Sequence, residues 1–171
     1  MSLTLKATTA ADAALIADLS LQTFYDTFAA QNTAANMDRF MNEQFTRGRL
    51  MLEVGRRGSS FWLAYDGDEV AGYMKLREQH AHPLLQGRPA LEIARLYACT
   101  QMIGKGIGSF LMQKALDTAQ QNEKEWVWLG VWEHNQRAIA FYTRWGFERF
   151  GDTEFVLGDD IQCDWLMRRR V

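Results

Sequence analysis

Apolar and polar residues alternate in this chain in blocks that read as short strands and amphipathic helices. Leu3 to Ala7 predicts a first strand. Thr9-Ala10-Ala11-Asp12 has the form of a capping box and starts a helix to about Tyr25. A loop over Thr27–Thr33 leads to a second helix from about Asn36 to Phe45, and Thr46 caps a short third one through Val54. Ser60–Tyr65 and Val70–Arg77 predict strands joined by Asp66-Gly67-Asp68-Glu69, where Asp-Gly between apolar runs signals a hairpin. Glu78 to Ala90 holds both prolines and reads as a loop. Next come an extended run, Leu91–Ala98, and a helix to about Asn122 with Ile107, Phe110, Leu111, Ala115 and Ala119 on one side. A strand at Trp126–Val131, a helix at Gln136–Trp145, and strands near Glu148–Leu157 and Gln162–Met167 complete the order. Asn135 stands as N-cap of that last helix and Gly146 as its stop. The alternation predicts one mixed α/β (α+β) domain over residues 1–171.

One joint carries chemistry. Between the run ending at Ala98 and the helix at Ile107 lies Gln101-Met102-Ile103-Gly104-Lys105-Gly106-Ile107-Gly108. A glycine-rich strand-to-helix turn leaves N–H groups free at a helix N-terminus, where they and the helix dipole favour phosphate. Three glycines in five residues let a bulky ligand approach the backbone. A P-loop would need Ser or Thr after Gly104-Lys105, and Gly106 stands there. A dinucleotide fingerprint from Gly104 would need glycine where Ser109 stands, with an acidic residue at the end of the next strand. A plain strand–turn–helix joint is also open on this pattern alone.

Gln101-x-x-Gly104-x-Gly106 resembles the coenzyme A pyrophosphate loop of the GCN5-related N-acetyltransferases. Asn135-x-x-Ala138-x-x-Phe141-Tyr142-x-x-x-Gly146-Phe147 resembles that superfamily's C-terminal motif, in the right order and at the right distance. Three further strings, Gln22-Thr23-Phe24-Tyr25-Asp26-Thr27-Phe28, Trp128-Leu129-Gly130-Val131-Trp132-Glu133 and Leu157-Gly158-Asp159-Asp160, resemble the bacterial spermidine/spermine N-acetyltransferases of the PaiA type. The resemblance implies a mostly antiparallel mixed sheet with helices on both faces and a splayed central parallel pair. It implies acetyl-CoA as cofactor, held by Leu96, Tyr97, Ala98, Gln101, Gly104, Lys105, Gly106, Ile107, Gly108, Ser109, Asn135 and Tyr142. It also implies a small cationic amine, probed by Phe24, Tyr25, Asp26, Glu133 and Asp159, and is compatible with a homodimer. Acetylation of protein N-termini or lysines, and acyl-CoA binding without turnover, are the alternatives.

Composition narrows the setting. The chain has 171 residues, 47% of them hydrophobic, and a formal charge of −2, which suits one domain with a sizeable core. The only compact basic run, Arg168-Arg169-Arg170, is expected as a solvated tail, so no nucleic-acid partner is expected. No apolar stretch is long enough to span a membrane, and the first residues lack a secretory signal pattern. A cytoplasmic chain with Cys99 and Cys163 reduced is the expectation. His80-x-His82 has too few companions for a metal site and is expected as loop.

Acyl transfer from a thioester to an amine requires a neutral amine, a stabilised carbonyl oxygen and a departing thiol. Deprotonating an amine of pKa near 10.4 at pH 7 costs about 4–5 kcal/mol, whereas a thiol of pKa near 8.5 leaves for about 2. Glu92 is the candidate base, through water, unless it faces solvent or pairs with Arg95. Tyr142 is the candidate acid, because a phenol keeps its proton at neutral pH. The resemblance adds a backbone N–H near Leu96–Ala98 as the carbonyl's donor. Asp152, Glu154, Asp159 and Asp160 form an acidic run that would attract a cation or simply be solvated.

Overall fold

A computed structural model describes residues 1–78 and 82–171, and His80 lies outside them. Seven strands form one sheet: β1 (Leu3–Ala7), β2 (Ser59–Asp66), β3 (Glu69–Arg77), β4 (Ala90–Ala98), β5 (Trp126–Trp132), β6 (Glu148–Leu157) and β7 (Asp160–Arg170). Their order is β1-β2-β3-β4-β5-β7-β6, antiparallel throughout except between β4 and β5. Five helices accompany them: α1 (Ala13–Phe28), α2 (Ala34–Glu43), α3 (Arg47–Glu53), α4 (Ile107–Gln121) and α5 (Gln136–Arg144).

The local signals act as their chemistry requires. Thr9 Oγ1 accepts from Ala11 N–H and Asp12 Oδ2 accepts from Thr9 N–H, closing the capping box. Thr33, Thr46 and Asn135 each cap the helix that follows them through a side-chain oxygen. Helix α1 runs three residues past the expected end, because Phe24 and Phe28, one turn apart, both join an aromatic cluster. The expected loop then shortens to one 3₁₀ turn, Ala29–Gln31.

Strand alternation divides the core between two faces. Val127, Leu129 and Val131 of β5 pack with Leu111, Met112 and Ala115 of α4 and with Tyr142 of α5. The other face of the sheet receives α1, with Ile16 against Phe61, Leu63 and Tyr73. A third cluster joins α1, α2 and α3 through Phe24, Phe40, Phe45 and Leu50, closed by Leu157 from the end of β6.

Two charged runs behave differently from expectation. Arg168, Arg169 and Arg170 are part of β7, paired with Trp128, Val127 and Trp126 of β5. Their guanidinium groups lie over rings or on acceptors: Arg168 is 4.3 Å from the Trp126 ring, and Arg169 donates to Trp145 O at 2.8 Å. Glu92 is neither solvent-facing nor paired with Arg95. It is buried on β4 opposite Arg77 of β3 and accepts from that guanidinium at 2.8 and 2.7 Å. Both carboxylate oxygens are engaged by that one guanidinium, a bidentate pair that ties β4 to β3. Glu92→Gln should lower stability by about 1–3 kcal/mol, read from urea unfolding, because the Arg77 cation loses its counter-charge. Turnover per folded molecule should stay within about threefold of wild type, which an activity assay on the same sample checks.

Candidate active site

The parallel pair holds for only three rungs, Ala90↔Trp126, Leu91↔Val127 and Glu92↔Trp128. Beyond them β4 and β5 diverge, and Ala94, an extra residue in the register with β3, bends β4 at that point. Cys99 N–H bonds Ala71 O on β3, so the alternation of a strand turns the N–H groups of Ala98 and Leu96 the other way, into the gap. A cavity of about 930 Å³ occupies this gap and is lined from both faces of the sheet, by α1 and α2 on one and by α4 and α5 on the other.

The turn into α4 lines one side. A 3₁₀ turn, Thr100–Met102, precedes Gly104 and Gly106, whose φ angles of +82° and +85° exclude most side chains. Gly106 is the N-cap and no side chain caps it; the first helical bond is Phe110 N–H to Gly106 O, at 3.0 Å. The N–H groups of Ile107, Gly108 and Ser109 therefore lack helical partners. A Cβ placed on Gly104 or Gly106 would meet nothing within 4 Å, so the space before these donors is open. The turn thus fits a pyrophosphate on two grounds: the free donors of a helix N-terminus, and room before them. Gly104, Gly106, Ile107, Gly108 and Ser109 line the cavity, while Gln101 and Lys105 are exposed outside its wall. Arg137 and Arg144 of α5, two turns apart on the helix, add cations to this side.

Where the strands part, Tyr142 and Asn135 reach the cavity from α5 and its cap. Asn135 Oδ1 accepts from Ala138 N–H at 3.2 Å, which fixes the start of α5. Tyr142 is buried against Phe141 and Phe147, and burial pushes its hydroxyl up to about 12. It is a phenol that keeps its proton. Leu96, Tyr97 and Ala98 supply the β4 wall.

The other side of the gap is aromatic and acidic. Phe24 stacks on Phe40 at 4.9 Å and tilts against Phe28 and Phe45, and Phe28 meets Trp132 edge-on at 5.8 Å. Two carboxylates, Asp26 and Asp164, line this chamber. Asp26 accepts from Thr100 Oγ1 at 2.7 Å and from Gln22 Nε2 at 2.8 Å. Asp164 lies on β7 opposite Trp132, and burial raises its pKa to about 6. Arg95, a cation of the β4 wall, is held by both oxygens of Glu53 at 2.7 and 3.1 Å and lies over the Phe45 ring.

The structure therefore brings Phe24 and Asp26 into the cavity and leaves out three other expected acceptor residues. Tyr25 points outward and is half exposed. Glu133 faces His134 at 3.4 Å, and Asp159 sits in the β6–β7 turn, its N–H bonded to Asn36 Oδ1. Glu92 is absent from the cavity wall, although its neighbour Ile93 belongs to it. Sequence reading missed Asp164, Arg95 and the rings of Phe40, Phe45 and Trp132, because their meeting with α1 requires α2, β4, β5 and β7 to converge.

Comparison with known proteins agrees with this geometry. A model of the Acetyltransferase (GNAT) family matches residues 21–147. An uncharacterized N-acetyltransferase from the pepI 3′ region of Lactobacillus delbrueckii subsp. lactis is 36% identical over 153 residues, 90% of this chain and 88% of that one. The PaiA N-acetyltransferase of Thermoplasma acidophilum, solved in complex with coenzyme A, shares the fold with a TM-score of 0.79 at 19% identity, covering 100% of both chains. A mutant of the spermidine N-acetyltransferase SpeG from Vibrio cholerae gives 0.70 at 21% identity, covering 98% of this chain and 93% of that one. From the family match and the relative spanning nine-tenths of its length, the chain belongs to the Acetyltransferase (GNAT) family and is an acetyl-CoA-dependent acetyltransferase.

Proposed function

We propose that this enzyme acetylates the primary amine of a small cationic acceptor, with a polyamine as the preferred class. The observation that carries this reading is the two-sided cavity. One mouth presents free helix N–H groups and Arg137 and Arg144, and the other presents aromatic rings with Asp26 and Asp164. An anionic cofactor and a cationic acceptor are thereby drawn to opposite mouths and meet in the gap. The solved structures named for PaiA and for spermidine acetylation add support at the level of the fold.

Gly104 to Ser109 would hold the cofactor's pyrophosphate, and the backbone of Leu96 and Ala98 would pair with the polar groups of its extended arm. When bound, the cofactor supplies an acetyl thioester. This chain's part is to align the amine, polarise the carbonyl through β4 N–H groups, and give a proton from the Tyr142 hydroxyl to the departing sulfur.

The cofactor site can be tested apart from folding. Ser109→Glu places a carboxylate in the first turn of α4, where the helix dipole favours it by about 0.3–1 kcal/mol. The variant should melt no lower than wild type, yet bind coenzyme A at least tenfold more weakly by calorimetry, because the new charge meets the phosphates. Equal affinity would remove the phosphates from this turn.

Tyr142→Phe keeps the ring packing and removes the proton. Loss of a general acid costs 10²–10⁴-fold, and the modest basicity of a thiolate places the expected drop in kcat at about the lower end. Affinity for coenzyme A should hardly move. Wild-type kcat in the variant would make Tyr142 a packing residue.

The acceptor is tested with a panel of spermidine, spermine, a monoamine of equal length and an amino-terminal peptide. Spermidine or spermine should give the highest kcat/KM, and their KM should rise with salt as screening tightens over about 8–10 Å. A peptide turned over much faster, with a salt-independent KM, would assign the enzyme to protein acetylation.

A further inference from the structure

The chamber's two carboxylates are not equivalent. Both oxygens of Asp26 are engaged by Gln22 and Thr100. Among the described residues, no N–H, hydroxyl or cation meets the Asp164 carboxylate, and burial is the one influence acting on its ionisation. It lies on the chamber face of the sheet, beside Trp132 in the register. It lies over Gly130 of β5, where a Cβ would stand 3.8 Å from Asp164 Oδ2, in ordinary contact. Gly130 is also exposed in a strand whose other residues are largely buried, which opens the chamber floor beneath the carboxylate.

We propose that Asp164 is the group that takes the proton from the acceptor ammonium as the amine enters the gap, a role that rests on the amine-acetylating function above. The side chain approaches from the chamber face, whereas Tyr142 belongs to the core on the opposite face. Tyr97, on β4, senses the charge of both. A thioester held in the gap would have Asp164 on the amine's side and Tyr142 on the sulfur's side. Burial sets Asp164 near 6, so at pH 7–8 it is ionised, poorly solvated and a stronger base than an ordinary carboxylate.

The protons balance. The acceptor arrives as an ammonium with three N–H bonds and leaves as an amide with one. A nitrogen–carbon bond forms and the carbon–sulfur bond breaks. One proton passes from nitrogen to Asp164 and on to water. The second replaces the one that Tyr142 gives to sulfur. No oxidant or reductant takes part.

The other charged or titratable groups around the chamber do not compete for this role. Asp26 on α1 is held by two donors, and Arg95 on β4 is paired with Glu53, which also holds Lys75 of β3. Burial raises Tyr97 and Tyr142, so both stay neutral. Arg137 and Arg144 project from α5 on the cofactor's side. On β6 the cross-strand neighbour of Asp164 is Thr153, which carries no charge.

Asp164→Asn tests the assignment in two independent ways. The first needs no substrate. A carboxyl whose folded pKa lies near 6, above about 3.9 in the unfolded chain, favours the native state below pH ~4 and loses that advantage as pH rises through 6. Asn escapes the penalty, so the variant's melting advantage over wild type should grow between pH 4 and pH 8. A difference that does not change with pH would show that the carboxylate is not unpaired in the folded protein, and would overturn the proposal. The second test is kinetic. With spermidine, kcat should fall about 10²-fold or more at pH 7.5 and recover partly toward pH 9–10, where more of the amine is already neutral. Coenzyme A affinity should stay within about twofold, and Asp164→Glu should restore part of the rate. A variant with unchanged kcat, or one with only a raised KM and an unmoved pH profile, would make Asp164 an anchor and overturn the base role. A wild-type enzyme inert toward every amine would instead overturn the acceptor reading, and this role with it.

Discussion

A parallel strand pair that parts after three rungs is the constraint on which the rest of the molecule depends. Each strand is secured on its outer side, β4 by β3 and β5 by β7 along its whole length. The sheet therefore survives the opening, which separates two well-paired halves. The cost falls on the backbone groups that face the gap, since an unsatisfied buried N–H or C=O costs about 1–3 kcal/mol. Such a gap persists because the surroundings over-determine it. The bulge at Ala94 turns β4 away, and Tyr142 and Phe141 of α5 fill the cofactor side of the opening. What is unfavourable for folding becomes a row of donors and acceptors set for an extended ligand.

The gap also separates two proton-handling groups, and one physical cause gives them opposite roles. Burial disfavours the charged form of both Tyr142 and Asp164 and so raises both. A tyrosine raised to about 12 is protonated throughout the working range and can only donate. An aspartate raised to about 6 is still ionised at neutral pH, and its affinity for a proton has grown. No special partner is needed for either. Placing a phenol and a carboxylate on opposite faces of a split sheet suffices, because the low polarity that tunes each comes from the same aromatic and aliphatic walls.

Legibility from sequence followed the range of the interaction. The capping box at Thr9, the Asp66-Gly67 hairpin and the glycine turn before α4 are all set by neighbours a few residues apart, and all stand where the pattern put them. Tyr142 was legible because its motif places it on the buried stripe of α5. Glu92 was not: its fate depends on Arg77, which only the β3–β4 register brings opposite. The three arginines at the end of the chain read as a tail because composition cannot show that Trp126 and Phe150 supply ring faces for Arg168. Asp164 gives no local signal at all. Whether an acidic residue within a mixed strand faces solvent or a chamber is decided by the β5–β7 register and the β4–β5 splay, both set by residues distant in sequence.

The same distinction decides how a cationic acceptor is selected. Carboxylates at Asp159 and Asp160 stand on an exposed turn, where salt and water weaken any pull. Asp26 is exposed at the chamber's edge, whereas Asp164 is half-buried in a chamber walled by Phe24, Phe28 and Trp132, where its charge is felt more strongly. A positive Arg95 in the same wall would oppose a cation, but Glu53 holds it in a two-point pair and Phe45 covers its flat face. The aromatic rings add a second attraction, since their faces are themselves negative. Under the proposed function, one half-buried carboxylate, one at the edge and a set of ring faces favour an acceptor with ammonium groups at fixed separations over one that is merely basic.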